Sequence, residues 1–139
     1  MRIVSLLTLL LNSLLLPAQE PAAKIKTVGA KPTSPASGRE MFHAYCASCH
    51  GLDGKGGGPA ASALKKQPAD LTLLSQQSGG KFPAMRVMNS IKDGTPAGHG
   101  SKDMPVWGPI LSTVSSDSPA VVTQRIGNLI GFIESLQVK

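Results

Sequence analysis

The stretch that decides the fold is YCASCHG, residues 45–51. It holds both cysteines of the chain, Cys46 and Cys49, and His50 follows the second cysteine directly. This C-x-x-C-H spacing is compatible with three chemistries: thiol–disulfide exchange, zinc binding and covalent attachment of haem. The sequence around the motif has to distinguish between them.

Two of these chemistries lack the partners they require. A thioredoxin-like dithiol follows a β-strand in a βαβ setting, whereas this motif is flanked by helical and glycine-rich sequence. A zinc site needs a fourth ligand, usually from a second Cys or His pair, but His43 and His99 stand alone. The C-x-x-C-H pattern itself is typical of haem c attachment. We therefore interpret Cys46 and Cys49 as thioether partners of one covalent haem c, with His50 beneath the iron.

The N-terminus predicts an exported protein. Arg2 precedes a 14-residue apolar run from Ile3 to Leu16, and a small residue, Ala18, follows soon after. This arrangement is typical of a secretory signal peptide, since a membrane-spanning helix needs about 20 apolar residues. An uncleaved anchor is the alternative. In a periplasmic or equivalent oxidising compartment two free thiols would not persist unmodified, which agrees with haem attachment.

Three segments follow from this reading: a signal peptide at 1–18, a Pro/Lys-rich flexible linker at 19–36 and one domain at 37–139. Within the domain Ser37 and Glu40 form a capping box that predicts a helix over 38–47. Ser118 and Pro119 predict the start of a final helix, which carries an apolar stripe.

The remaining segments contain no strand pattern. Five glycines between residues 51 and 58 predict a loop folded tightly around a bulky group. Short helices are predicted at 60–66 and 83–92, the second with Met85, Met88 and Ile91 on an apolar face. Residues 93–109 are predicted to be irregular. The domain is therefore expected to be all-α.

The segment GREMFHAYCASCHG, residues 38–51, resembles the N-terminal helix of class I cytochromes c in the spacing of glycine, aromatic residue and first cysteine. The resemblance covers about 100 residues. It implies a small fold of three to five helices around one haem, in which Gly38 and Phe42 pack against the C-terminal helix. It also implies that the Pro59 carbonyl accepts a hydrogen bond from His50.

The second axial ligand is the open question of the sequence. Candidates are Met85, Met88, Met104, His43 and His99. DMPVWG, residues 103–108, resembles the distal segment of the same family, which implies Met104 as the ligand and leaves His99 as its main rival. Trp107 is expected to pack on the haem or donate a hydrogen bond to a propionate, although ordinary packing is an equal alternative.

With His50 and Met104 both bound, the predicted function is single-electron transfer rather than enzymatic catalysis. Two alternatives stay open: a haem subunit of a larger dehydrogenase or terminal oxidase complex, and a haem enzyme or gas sensor with a labile distal ligand. After signal cleavage 13 Lys and Arg face 8 Asp and Glu, a net charge of +5. This predicts redox partner proteins with an acidic docking patch, no nucleic-acid partner, and membrane contact only through an uncleaved N-terminus.

Overall fold

The fold was analysed in a computed structural model, which describes residues 30–94, 104–114 and 117–138. The predicted signal peptide and His99 lie outside these ranges. Within them the chain forms helices and turns and no strand, so the all-α prediction is confirmed.

Residues 38–50 form one uninterrupted helical run, called here the N-terminal helix. It consists of α1 (Gly38–Met41), a π-helical turn (Phe42–Cys46) and α2 (Ala47–His50). The Ser37 hydroxyl caps its start by accepting a hydrogen bond from the Glu40 amide at 3.1 Å, as predicted. The Glu40 carboxylate instead accepts from the amide of Ser34 at 3.2 Å, so only half of the predicted capping box forms.

The π-helical turn lies directly before the first cysteine. Such wide turns are rare, occur mostly as single turns inside α-helices, and are frequent at functional sites. The helix ends at Gly51, whose φ of +78° lies in a region that L side chains rarely adopt. Local backbone geometry therefore sets both the position of Cys46 and the point at which the chain leaves His50.

The final helix, α5 (Pro119–Ser135), has the predicted Ser118 cap and packs on the N-terminal helix. A Cβ atom on Gly38 would overlap the carbonyl oxygen of Asn128, so the two backbones nearly touch. The Phe42 and Phe132 rings lie 5.2 Å apart between centroids. The predicted contact of Gly38 and Phe42 with the C-terminal helix is confirmed.

Two further helices complete the fold, α3 (Ala84–Asp93) and α4 (Trp107–Val114). Helix α3 agrees with the prediction to within a residue at each end, but its buried face carries Val87, Ser90 and Ile91. The predicted methionine face is wrong at Met85, which is 66% exposed. The buried residues repeat at spacings of three and four, which turns Met85 outwards.

Helix α4 was not predicted, and its first three residues, 107–109, belong to the segment predicted to be irregular. Pro109 occupies the first turn, where amide groups have no intrahelical acceptor and proline is tolerated. The helix predicted at 60–66 shortens to one 3-10 turn, Ala61–Ala63, because Leu64 is already extended. Two more 3-10 turns, Leu71–Leu73 and Gln76–Ser78, lead to α3.

The buried apolar side chains of these helices form one core. Its members are Met41, Phe42, Tyr45, Ala47, Leu71, Val87, Ile91, Leu111, Ile126, Leu129, Ile130 and Ile133. Across the described ranges, none of the helices has the length and apolar character needed to cross a membrane.

One charged side chain is fully buried beside this core. Arg125 on α5 is 1% exposed, forms an ion pair with Asp117 and donates to the Thr33 carbonyl at 2.8 Å. The C-terminal part of the predicted linker therefore packs against the helices.

Candidate functional site

Five of the residues singled out from the sequence meet at one cleft: Cys46, Cys49, His50, Met104 and Trp107. Cys46, His50, Ala69 and Met104 line both of its halves. The first half is completed by polar and aromatic side chains together with one leucine and two prolines: Tyr45, Cys49, Leu64, Lys66, Gln67, Pro68, Pro105 and Trp107. The second half is mainly aliphatic and is completed by Leu71, Leu74, Arg86, Val87, Ser90, Ile91 and Ile133.

His50 sits at the end of the N-terminal helix, buried at 7% exposure. Its Nδ1 lies 3.1 Å from the carbonyl oxygen of Ala69, a bond that fixes the ring and leaves Nε2 as the nitrogen available to a ligand. Burial lowers the pKa of His50, and the hydrogen bond to Ala69 opposes this shift only in part. The imidazole is therefore neutral at pH 7, which is the form that binds a metal ion.

The acceptor predicted for this bond, Pro59, is replaced by Ala69. Pro59 is exposed, and its neighbours bond to the end of the N-terminal helix: the Gly58 amide donates to the Cys49 carbonyl at 3.0 Å and the Ala60 amide to the Ser48 carbonyl at 2.8 Å. The Pro59 prediction is therefore wrong, although the kind of interaction was anticipated.

Glycine in the loop explains how Ala69 reaches His50. A Cβ atom on Gly56 would overlap the Pro68 carbonyl oxygen, and the Gln67 side-chain amide donates to the Gly56 carbonyl. The loop thus lets the backbone of the 67–69 segment come close. The loop was predicted to fold around a bulky group; the close approach that the structure shows at Gly56 is to this neighbouring backbone.

Among the distal candidates within the described ranges, Met104 lines the cleft and the others lie elsewhere. Met85 is exposed on α3, and Met88 faces a separate cavity bounded by α3, α4 and α5. His43 is exposed beside the ring of Phe132, at 6.2 Å between centroids. Met104 is therefore the described candidate that shares a cavity with His50.

A comparison with protein-family models matches residues 33–118 to the family described as cytochrome c oxidase, cbb3-type, subunit III. The chain belongs to this family of c-type cytochrome domains. The matched range includes the C-x-x-C-H motif and Met104. Neither the curated proteins nor the solved structures gave a match.

The cytochrome carries covalently attached haem c, and the cleft fits that group. Both cysteine side chains lie on the cleft wall. Burial first, and the neighbouring Cys49 second, raise the pKa of Cys46 to about 12, so its sulfur remains a neutral thiol before attachment. Two thiols, a neutral imidazole and largely aliphatic walls are the surroundings that a covalent haem requires.

Zinc is not supported as the occupant of this cytochrome's motif. In residues 30–94, 104–114 and 117–138, no three His, Cys, Asp or Glu side chains are grouped so as to hold a metal ion. A structural zinc site would need four such ligands.

An aromatic pair closes one side of the haem cleft. The Tyr45 and Trp107 rings stack with centroids 5.3 Å apart and planes inclined by 29°, and both line the cleft. The sequence indicated Trp107 but not Tyr45 as a site residue. The signal for Tyr45 was its position immediately before Cys46, on a helix that had to face the cofactor.

Proposed function

We propose that this cytochrome carries single electrons, with His50 and Met104 as the two axial ligands of its haem iron. The supporting observation is that both side chains line the same cleft while the other described candidates do not. Electron transfer in general follows from the family. The ligand pair is what favours a carrier over a catalyst, because two filled axial positions leave no place for a substrate.

The haem supplies a one-electron couple between ferric and ferrous iron. His50 is held in one orientation by Ala69, and Met104 offers a soft, neutral thioether that stabilises the ferrous state. The aliphatic half of the cleft, with Leu71, Val87 and Ile133, keeps water from the ring. Rigid ligands and a dry pocket keep structural change on reduction small.

This proposal predicts that the reduced protein resists carbon monoxide. If Met104 occupies the distal position, the gas can bind only after the thioether dissociates, so binding should be slow. Stopped-flow absorbance after mixing with carbon monoxide measures this rate. Binding at a rate proportional to gas concentration, with no limiting dissociation step, would instead favour the haem enzyme or gas sensor.

A second candidate is a haem subunit of a larger membrane oxidase complex, and the family description favours it. Gel filtration of the soluble exported fraction and of detergent-extracted membranes separates the two roles. A free carrier elutes from the soluble fraction near the mass of one chain with its haem. Co-elution with a large haem complex from the membrane fraction would identify a subunit.

The positive surface charge predicts that electrons are exchanged faster with anionic partners than with neutral ones. Lys66 and Arg86 border opposite halves of the cleft, and four further lysines are exposed elsewhere on the described surface: Lys55, Lys65, Lys81 and Lys92. Weak redox complexes of this kind bury little area and depend on such charges for encounter. We therefore propose a partner with an acidic patch around its own electron-transfer site.

Salt should slow reduction by an anionic reagent. With hexacyanoferrate(II) as the reductant, raising the salt from about 0.05 M to about 0.5 M should lower the rate by up to roughly tenfold, since the Debye length falls well below the size of the protein. Hydroquinone, which is uncharged, serves as the control. Equal salt dependence for both reagents would rule out charge-guided encounter.

A further inference from the structure

A chain of buried polar groups runs from α5 to the N-terminal helix. Arg125 donates through Nη1 to the carbonyl and the hydroxyl of Thr33, at 2.8 and 3.2 Å, while its Nε donates to the Asp117 carboxylate. The guanidinium charge is thereby paired inside the protein. Burial of a charged group is costly unless it is paired and hydrogen-bonded, so Thr33 is a required partner of Arg125.

The same Thr33 hydroxyl reaches the ring that borders the cleft. Thr33 is 8% exposed, and its Oγ1 lies 2.9 Å from the phenol oxygen of Tyr45. The Tyr45 hydroxyl donates its single proton to the Lys31 carbonyl at 2.6 Å. The Thr33 hydroxyl must therefore donate to Tyr45 while it accepts from Arg125. All the hydrogen bonds in this series then point the same way, from Arg125 to the Lys31 carbonyl.

Tyr45 joins this chain to the haem cleft. Its hydroxyl belongs to the buried hydrogen bonds, whereas its ring stacks on Trp107 and lines the cleft beside Cys46 and Met104. The position of the aromatic wall thus depends on residues 31–33, which precede the N-terminal helix.

We infer that Thr33 is a positioning residue of the haem cleft, which holds the Tyr45–Trp107 wall closed over the side that Met104 occupies. A closed wall keeps water off the ring and limits departure of the distal ligand. The inference deepens the proposed function, because it rests on Met104 as that ligand. It assigns a redox role to a segment without any haem-binding motif.

Thr33→Val removes the hydroxyl and keeps the shape of the side chain. Tyr45 and Arg125 each lose one hydrogen bond, which should raise the open fraction of the wall by roughly tenfold. Carbon monoxide should then bind the reduced protein roughly tenfold faster. The midpoint potential should fall, because a wetter cleft stabilises ferric haem.

Thr33→Ser restores a hydroxyl and should return both readouts towards the parent. Ile126→Val serves as the control for stability, because Ile126 is buried on α5 but lines the separate cavity near Met88. It should weaken the fold while leaving potential and carbon monoxide rate at the parent values. If Thr33→Val also leaves both readouts at the parent values, Thr33 only stabilises the fold and the inference is wrong.

Tyr45→Phe gives an independent test, which also applies if Thr33→Val does not fold. It keeps the ring stack and deletes the hydroxyl, which removes the bonds to Thr33 and to the Lys31 carbonyl, so its effect should equal or exceed that of Thr33→Val. The double variant should be no worse than Tyr45→Phe alone. Additive effects would contradict a shared network. The midpoint potential responds to water in the cleft whichever side chain is the distal ligand, so it tests the role of Thr33. The absorption spectrum of the parent protein tests the ligand itself: a spectrum without iron-bound methionine would refute Met104 as the ligand and leave the test of Thr33 in place.

Discussion

The Met104→Ala variant is expected to lose the weak far-red absorption band that iron-bound methionine sulfur produces in the oxidised protein. Alanine cannot reach the iron, so water or no ligand takes the distal position. Loss of a neutral thioether that favours ferrous iron should lower the midpoint potential by about 0.1–0.2 V, part of the roughly 0.8 V that axial ligands span. Spectra and redox titration of the same samples measure both effects.

Met88→Ala is the matched control for this experiment, since Met88 faces the cavity on the other side of α3. It should keep the band and the potential of the parent. A band that survives in Met104→Ala would show that another sulfur binds the iron. A parent without the band, whose spectrum changes in His99→Ala, would transfer the distal role to His99.

The second large effect is expected from Gly38→Ala. The new Cβ would overlap the carbonyl oxygen of Asn128 and lie 3.0 Å from the Cβ of Phe132. Neither helix backbone can yield without moving the Phe42–Phe132 contact, so we expect a loss of about 3 kcal/mol or more in the free energy of unfolding. Guanidinium unfolding followed by circular dichroism measures it.

Gly127→Ala provides the opposite expectation on the partner helix. Gly127 is exposed in α5, and a Cβ there would meet nothing within 4 Å. Alanine should stabilise the helix by about 0.5–1 kcal/mol, because it lowers the conformational entropy of the unfolded chain. If both variants shifted stability by the same amount, helix propensity rather than the close approach of two backbones would govern Gly38.

The sequence was most informative where local chemistry and a short spacing act together. Cys46, Cys49 and His50 lie within five consecutive residues of one helix, so their meeting at one cleft needs no long-range information. Ser118 and Pro119 specify a helix start by their own backbone preferences, and α5 begins there. The resemblance to class I cytochromes c correctly predicted that Gly38 and Phe42, on the N-terminal helix, pack against α5.

Contacts between segments that lie far apart in the sequence could not be predicted from local residue patterns. The Ala69 carbonyl that holds His50 comes from a piece of backbone without any side-chain signature. Arg125 did leave a signal, since it lies between Val122 and Leu129 on the apolar stripe of α5, where an exposed cation would be out of place. Its partner, Thr33, lay in sequence that had been assigned to a flexible linker.

The close approach of Gly38 to Asn128 has a consequence for how the protein is made. About 90 residues separate the two positions, so their contact closes most of the domain into one loop. The entropy lost on closing this loop opposes the docking of the two helices. The helix that carries the cysteines therefore precedes, by most of the domain, the helix on which it packs. Both cysteines and His50 lie on the N-terminal helix, so a haem attached there gives the rest of the chain an apolar surface to pack against, which offsets part of the closure entropy.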